Sequence, residues 1–171
     1  MPAVIDQCCE LKIPVATIFS AGFAEIGPAG EKMQREMVAK ARASGLRLIG
    51  PNCMGIVNVQ GKTPLTVNAV IDQVELKPGP LSVISQSGSM LGTLITRGQA
   101  RGLGFSKLVS VGNECDLGVG EIADQLVDDP DTGAILLFLE TFRDAPNLAR
   151  AARRAFENGH HDQPVARPCA P

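Results

Sequence analysis

The sequence predicts an α/β protein: parallel sheets with flanking helices. Three observations carry that prediction. Short apolar runs alternate with stretches of helical spacing along most of the 171 residues. The runs end in small or turn-forming residues, where a strand gives way to a loop. The connections between runs are long enough to hold a helix, as parallel pairing requires.

The elements follow in order. Residues 3–12 place Val4, Ile5, Cys8 and Leu11 three and four apart, a helical spacing that Pro14 ends. Val15 to Phe19 reads as a buried strand running into Ser20-Ala21-Gly22. Residues 29–43 return to helical spacing through Met33, Met37, Val38 and Ala41, with Gly45 as the stop. Leu46 to Ile49 is a second strand, leading to Gly50-Pro51-Asn52-Cys53. Gly61, Pro64, Pro78, Gly79 and Pro80 punctuate the next stretch, which reads as a linker holding one short strand or hairpin. The alternation then resumes. Leu81 to Ile84 is a strand, and Ser85-Gln86-Ser87-Gly88-Ser89 turns it into a helix over about 89–101. Phe105 to Val111 is the next strand, and a helix over about 118–128 buries Val119, Ile122, Ala123 and Leu126 before Pro130. Ala134 to Leu139 and the helix Ala145 to Phe156 complete the pattern. The residues from His160 to Pro171, with three prolines, do not continue it and are expected to be irregular.

Composition removes several classes of function. With 16 Lys+Arg against 18 Asp+Glu, a net charge of −2 and no basic cluster, the chain has no electrostatic footprint for nucleic acid. The absence of Trp and Tyr removes most stacking platforms for single strands. The longest apolar run, Ala134 to Leu139, falls far short of the roughly 20 residues that span a bilayer, so no membrane partner is expected. The N-terminus lacks a basic n-region and a long apolar h-region, and a cytoplasmic location follows from the lack of other signals. Cysteines 8, 9, 53, 115 and 169 form no C-x-x-C and no zinc spacing with His160 and His161, the only histidines. Reduced thiols are expected.

Ligands of an open parallel sheet bind beyond the carboxyl ends of its strands. That rule gathers Ser85 to Ser89, Gly112-Asn113-Glu114, and Glu140 with Thr141 at one edge. Backbone N–H groups at a strand-to-helix turn, with the positive end of the helix dipole and serine hydroxyls, suit a phosphate or carboxylate. Ser87 or Ser89 acting simply as a helix cap is the plainer alternative. Glu140, at the rim of a buried strand, can orient or activate a basic group, or it can be a solvated carboxylate paired with Arg143. Glu114 and Asp116 resemble a carboxylate pair but are read as turn and helix-start residues. In the first half, glycines at Ser20-Ala21-Gly22 and Gly50 allow a ligand close to the backbone, and Asn52 offers both a donor and acceptors. Cys53 has no histidine placed to activate it and reads as a small buried thiol.

Five stretches in order carry a resemblance: Ser20-Ala21-Gly22-Phe23-Ala24-Glu25, Gly50-Pro51-Asn52-Cys53-Met54-Gly55, Ser85-Gln86-Ser87-Gly88-Ser89, Val109-Ser110-Val111-Gly112-Asn113-Glu114 and Asp128-Asp129-Pro130. Over residues 1–159 the chain resembles the nucleoside-diphosphate-forming (NDP-forming) acyl-CoA synthetases, the superfamily of the succinyl-CoA synthetase α subunit and ADP-forming acetyl-CoA synthetase. The resemblance implies that residues 1–58 are the later part of a Rossmann-like CoA-binding domain, that 59–78 link it to a flavodoxin-like ligase domain over 79–159, and that 160–171 form a tail. It implies interconversion of acyl-CoA, NDP and phosphate with acid, CoA and NTP through an acyl phosphate and a phosphohistidine. Ser85, Ser87, Gly88 and Ser89 would then hold the transferring phosphate, and Glu140 would steady the phosphohistidine ring. Ser20, Ala21, Gly22 and Asn52 would lie near CoA.

The same resemblance implies an incomplete piece. The family's glycine-rich opening βαβ unit precedes the point where this chain starts, and its histidine lies downstream in a glycine-rich context unlike His160-His161-Asp162-Gln163. Neither His160 nor His161 is assigned as the nucleophile. ATP or ADP, with Mg2+, would sit on a separate ATP-grasp partner domain or subunit, and an oligomer is expected. The isolated chain is expected to be inactive as a ligase. The alternative is a non-catalytic CoA- or anion-binding module that docks on a partner chain. A weaker reading is an unrelated flavodoxin-like flavin or nucleotide binder.

Overall fold

The computed structural model describes residues 2–73 and 75–158. Helices are α1 (Pro2–Glu10), α2 (Pro28–Ala43), α3 (Val70–Gln73), α4 (Gly88–Ala100), α5 (Val119–Leu126) and α6 (Ala145–Glu157). Strands are β1 (Val15–Thr17), β2 (Arg47–Ile49), β3 (Gly55–Asn58), β4 (Thr63–Thr66), β5 (Pro78–Ser85), β6 (Phe105–Ser110) and β7 (Ala134–Phe138). The tail expected over 160–171 lies outside the described residues, as do both histidines.

β1 and β2 pair in parallel, and Ile5, Ile18, Phe23, Met37, Ala41, Leu46 and Leu48 form one core among them, α1 and α2. The second sheet runs β4-β3-β6-β5-β7. Its centre is parallel, β5 pairing with both β6 and β7. Strands covered on both faces read as continuous apolar runs, because successive side chains point to opposite sides. Thus Val83 and Leu108 join Leu91, Ile95 and Phe105 on one face, while Ile84 and Val109 join Val119, Ala123 and Ala151 on the other. The structure is therefore α/β with a parallel-rich sheet.

Two features depart from the simple alternation. The hairpin of β3 and β4 spans the boundary expected at residue 58, and β3 pairs antiparallel with β6, so this segment extends the second sheet. A short strand or hairpin was expected here; its pairing with β6 was not, because turn residues surround it and Thr63-Pro64-Leu65 of β4 are exposed. Pro64 fits there because an outermost strand can spare an N–H. The second departure joins the halves. Asn113, Cys115 and Leu117 donate backbone N–H groups to the carbonyls of Pro51, Gly50 and Leu48 at 2.9, 3.0 and 3.0 Å. The segment after β6 thereby runs along the end of β2. Gly112 (φ +55°) permits this, since a Cβ there would collide with the Pro51 and Asn52 carbonyls.

Candidate functional site

The strand ends converge as the sheet rule requires, and one side chain joins them. Gln86 follows β5 and is 8% exposed. Its Oε1 accepts from the N–H groups of Glu140 and Thr141 at 2.6 and 2.9 Å. Its Nε2 donates to Glu114 Oε2 at 2.5 Å and to the Thr141 carbonyl at 2.8 Å. The three segments expected at one edge are thus held together by a single carboxamide. Sequence reasoning quoted Gln86 within a motif but gave it no role. The available signal was a long amide at the end of a buried strand, which must find partners if it stays inside.

The serine turn is built differently from the expectation. Ser85 has no exposed surface, and its Oγ donates to the Ser87 carbonyl at 2.6 Å while accepting the Ser87 N–H at 3.2 Å. Its hydroxyl shapes the turn and does not face a ligand. Ser87 is the N-cap of α4, its Oγ accepting from Met90 N at 3.4 Å and lying 3.2 Å from Ser89 Oγ. The plainer capping role is therefore real. By helix geometry the first-turn N–H groups at Gly88 and Ser89 have no intrahelical acceptor.

Asn52 and Glu140 meet across one polar cleft of about 430 Å³, shared with Glu25, Gln34, Arg35, Gln86, Asn113 and Arg143. The Glu140 carboxylate has no hydrogen-bond or ion-pair partner among the described residues; Arg143 lies 4.0 Å from Glu114 and donates to Thr141 Oγ1 at 3.1 Å. Glu114 Oε1 accepts the Val119 N–H at 2.6 Å, which confirms it at the start of α5. Gly88 and Ser89 border a different hollow, about 390 Å³, with Met54, Asn68 and Arg97.

On the first-half side, Ser20 and Ala21 are exposed and the Ser20 carbonyl accepts the Asn52 N–H at 3.0 Å. The Gly22 N–H expected near a ligand is already taken by the Glu25 carboxylate, which also accepts from Phe23 N at 3.1 Å and from Asn113 Nδ2 at 2.5 Å. Desolvation opposes ionisation of Glu25, but Asn113 and the backbone N–H groups of Gly22, Glu25 and Phe23 outweigh it and hold the carboxyl at about 2. Asn113 Nδ2 also donates to Gln34 Oε1 at 3.0 Å.

Asp116 is not a simple turn residue. Its side chain is fully buried and accepts from Arg42 Nε at 2.6 Å, Arg47 Nε at 2.9 Å and Leu48 N at 2.8 Å. Arg47 forks onto Glu121 at 2.9 Å on both oxygens. Burial would raise the Asp116 carboxyl, and the hydrogen bonds from Arg47, Leu48 and Arg42 bring it below its ordinary value. Cys53 is buried, its Sγ donating to the Ile18 carbonyl at 3.3 Å, and desolvation raises its thiol. Burial and the neighbouring Asp116 charge push Cys115 up to about 12. Neither is a poised nucleophile. Among the described residues no cluster of three or more His, Cys, Asp or Glu side chains could hold a metal ion, and no helix is long and apolar enough to cross a membrane.

With this geometry in view, comparison with known proteins gives two family matches: a CoA binding domain over residues 1–59, and a succinyl-CoA ligase like flavodoxin domain over residues 78–161. The α subunit of an ADP-forming acetate–CoA ligase from Pyrococcus furiosus is 35% identical over 153 residues, 90% of this chain and 32% of that one. A trans-feruloyl-CoA synthase from an unidentified prokaryote is 38% identical over 162 residues, covering 92% and 23%. Among solved structures, a Pyrococcus horikoshii protein superposes with a TM-score of 0.85 at 32% identity, covering 92% of this chain and 35% of that one. An acetyl-coenzyme A synthetase from Ca. Korarchaeum cryptofilum, solved with phosphate and ADP, gives 0.81 at 30% identity, covering 90% and 32%. The chain spans about a third or less of the length of these relatives.

Proposed function

The chain belongs to the NDP-forming acyl-CoA synthetase superfamily, and from that premise we propose that it forms the CoA- and phosphate-handling part of an acid–CoA ligase. The observation that carries this reading is the meeting of Asn52, from the first half, with Glu140, from the second, on one polar cleft. In such a ligase an acyl-CoA and phosphate exchange through an acyl phosphate, and a phosphohistidine passes the phosphoryl group to a nucleoside diphosphate. Asn52 and the adjacent Ser20–Gly22 loop border the path of CoA, with Asn52 as the amide that fixes it. The N–H groups opening α4 at Gly88 and Ser89, capped by Ser87, receive phosphate oxygens; Ser85 supports that turn from beneath. Glu140, whose carboxylate is unpartnered among the described residues, accepts from the imidazole that carries the phosphoryl group. The nucleotide and its Mg2+ belong to an ATP-grasp partner, as does the completion of the reaction. That relatives are named ADP-forming supports ADP as the diphosphate.

Calorimetric titration of CoA into the purified chain tests the reading. We expect saturable binding that inorganic phosphate leaves intact, weakened about tenfold or more in Asn52→Asp, whose added charge repels CoA phosphates while Asp still tolerates φ +56°. No turnover is expected from the chain with acid, CoA and ATP. Absence of CoA binding overturns the assignment, and turnover by the chain alone overturns the need for a partner.

A further inference from the structure

We propose that Gln86 is a positioning residue that sets where Glu140 stands on the cleft, and that it must be an amide because of what surrounds it. The inference rests on the reading of Glu140 given above. Nε2 faces a carboxylate and a carbonyl, which only accept; Oε1 faces two backbone N–H groups, which only donate. That pattern fixes the amide orientation and fills two donor and two acceptor valences at once. The Gln86 N–H adds a bond to the Phe138 carbonyl at 3.1 Å, so backbone and side chain grip the same exit from β7. The Glu140 side chain is unpartnered among the described residues, and the segment Glu140 to Arg143 is exposed. Through Glu114, whose other oxygen holds the first turn of α5, the amide also couples Glu140 to that helix.

A glutamate is the same shape and keeps the Oε1 acceptor, but it replaces the Nε2 donor with a second acceptor. At neutral pH it would set one carboxylate against another at Glu114 and against the Thr141 carbonyl. On acidification a proton shared with Glu114 would restore a donor where Nε2 now sits. The charged groups around that position are Glu114 after β6, Glu140 and Arg143 after β7, Asp144 beyond Gly118, and Glu25, Glu31 and Arg35 across the cleft.

The test is amide hydrogen exchange on the whole chain, expressed as protection factors so that intrinsic pH effects cancel. In Gln86→Met, the Glu140 and Thr141 amides should lose at least about tenfold in protection, the equivalent of one ordinary hydrogen bond, while β6 amides keep theirs. In Gln86→Glu, repulsion from Glu114 and the Thr141 carbonyl should push the side chain away from the same two amides, so their protection should be lower at pH 7.5 than at pH 5. A residue that merely fills space would show no such pH profile. Unchanged protection at Glu140 and Thr141 in Gln86→Met, or a flat pH profile in Gln86→Glu, overturns the proposal. If Gln86→Met does not fold, the pH profile of Gln86→Glu decides alone. Failure of CoA to bind the unaltered chain would count against the ligase reading and leave these exchange results to judge Gln86 separately.

Discussion

At the residue scale, Asp116 is the clearest case of a side chain whose partners explain it. Three donors from the first half converge on a carboxylate of the second, with no exposed surface of its own. Replacing it by alanine leaves the Leu48 N–H and Arg42 without their acceptor and leaves Arg47 only its fork on Glu121. Because Arg42 and Arg47 keep partial access to water, the expected loss is about 2–4 kcal/mol, below the range for a fully buried pair. Urea denaturation at pH 7 measures it, and a loss under about 1 kcal/mol would mean the pairs are screened. Its carboxyl is lower in the folded state than in the unfolded chain. The stabilisation is therefore complete above the ordinary carboxylate value, about 4, and fades as pH falls below it. The wild-type acid transition should steepen in that range, and Asp116→Asn should flatten it. None of this was legible in the sequence. Asp116 sits among turn residues, and nothing in the spacing tells that Arg42 and Arg47 lie opposite. Gln86 was hidden for a similar reason: its role is defined by neighbours 28 and 55 positions away. Asn52 and Glu140 could be singled out as candidates because each lies just past a strand, but β2 and β7 belong to different sheets, and that both positions border one cleft was not legible.

At the scale of elements, α4 is anchored by its first turn. Ser87 caps it through a long 3.4 Å bond, so Ser87→Ala should cost about 0.5–1 kcal/mol, the low end for caps, and Ser87→Gly only a few tenths. Thermal melts of the two variants check this; equal losses would show that the hydroxyl matters through Ser89 and not through the cap. The helices and central strands were readable because burial on both faces writes itself into the chain. β5 and β6 carry Leu81, Val83, Ile84, Phe105, Leu108 and Val109 with small serines between them, and α5 and α6 show one apolar side each. A short strand or hairpin was legible between residues 59 and 80, but its start at Gly55 and its place in the second sheet were not. Its strands are short, one is mostly exposed, and the pairing that defines it lies with β6, some 50 residues later.

At the scale of the molecule, the two halves share one polar cleft and are joined by backbone as well as side chains. A chain cut between Lys77 and Pro78 should stay together: β3 remains paired with β6, and the bonds from Asn113, Cys115 and Leu117 to the end of β2 survive the cut. The pieces should co-elute in size-exclusion chromatography at neutral pH, and resolution into two peaks would contradict the joined geometry. The outer rims of the five-stranded sheet carry a further consequence. Pro64 lacks an amide hydrogen on β4, while β7 borders only β5 among the described residues. A strand added to β4 would find one donor fewer than a strand added to β7, so lateral association through these margins should favour the β7 rim.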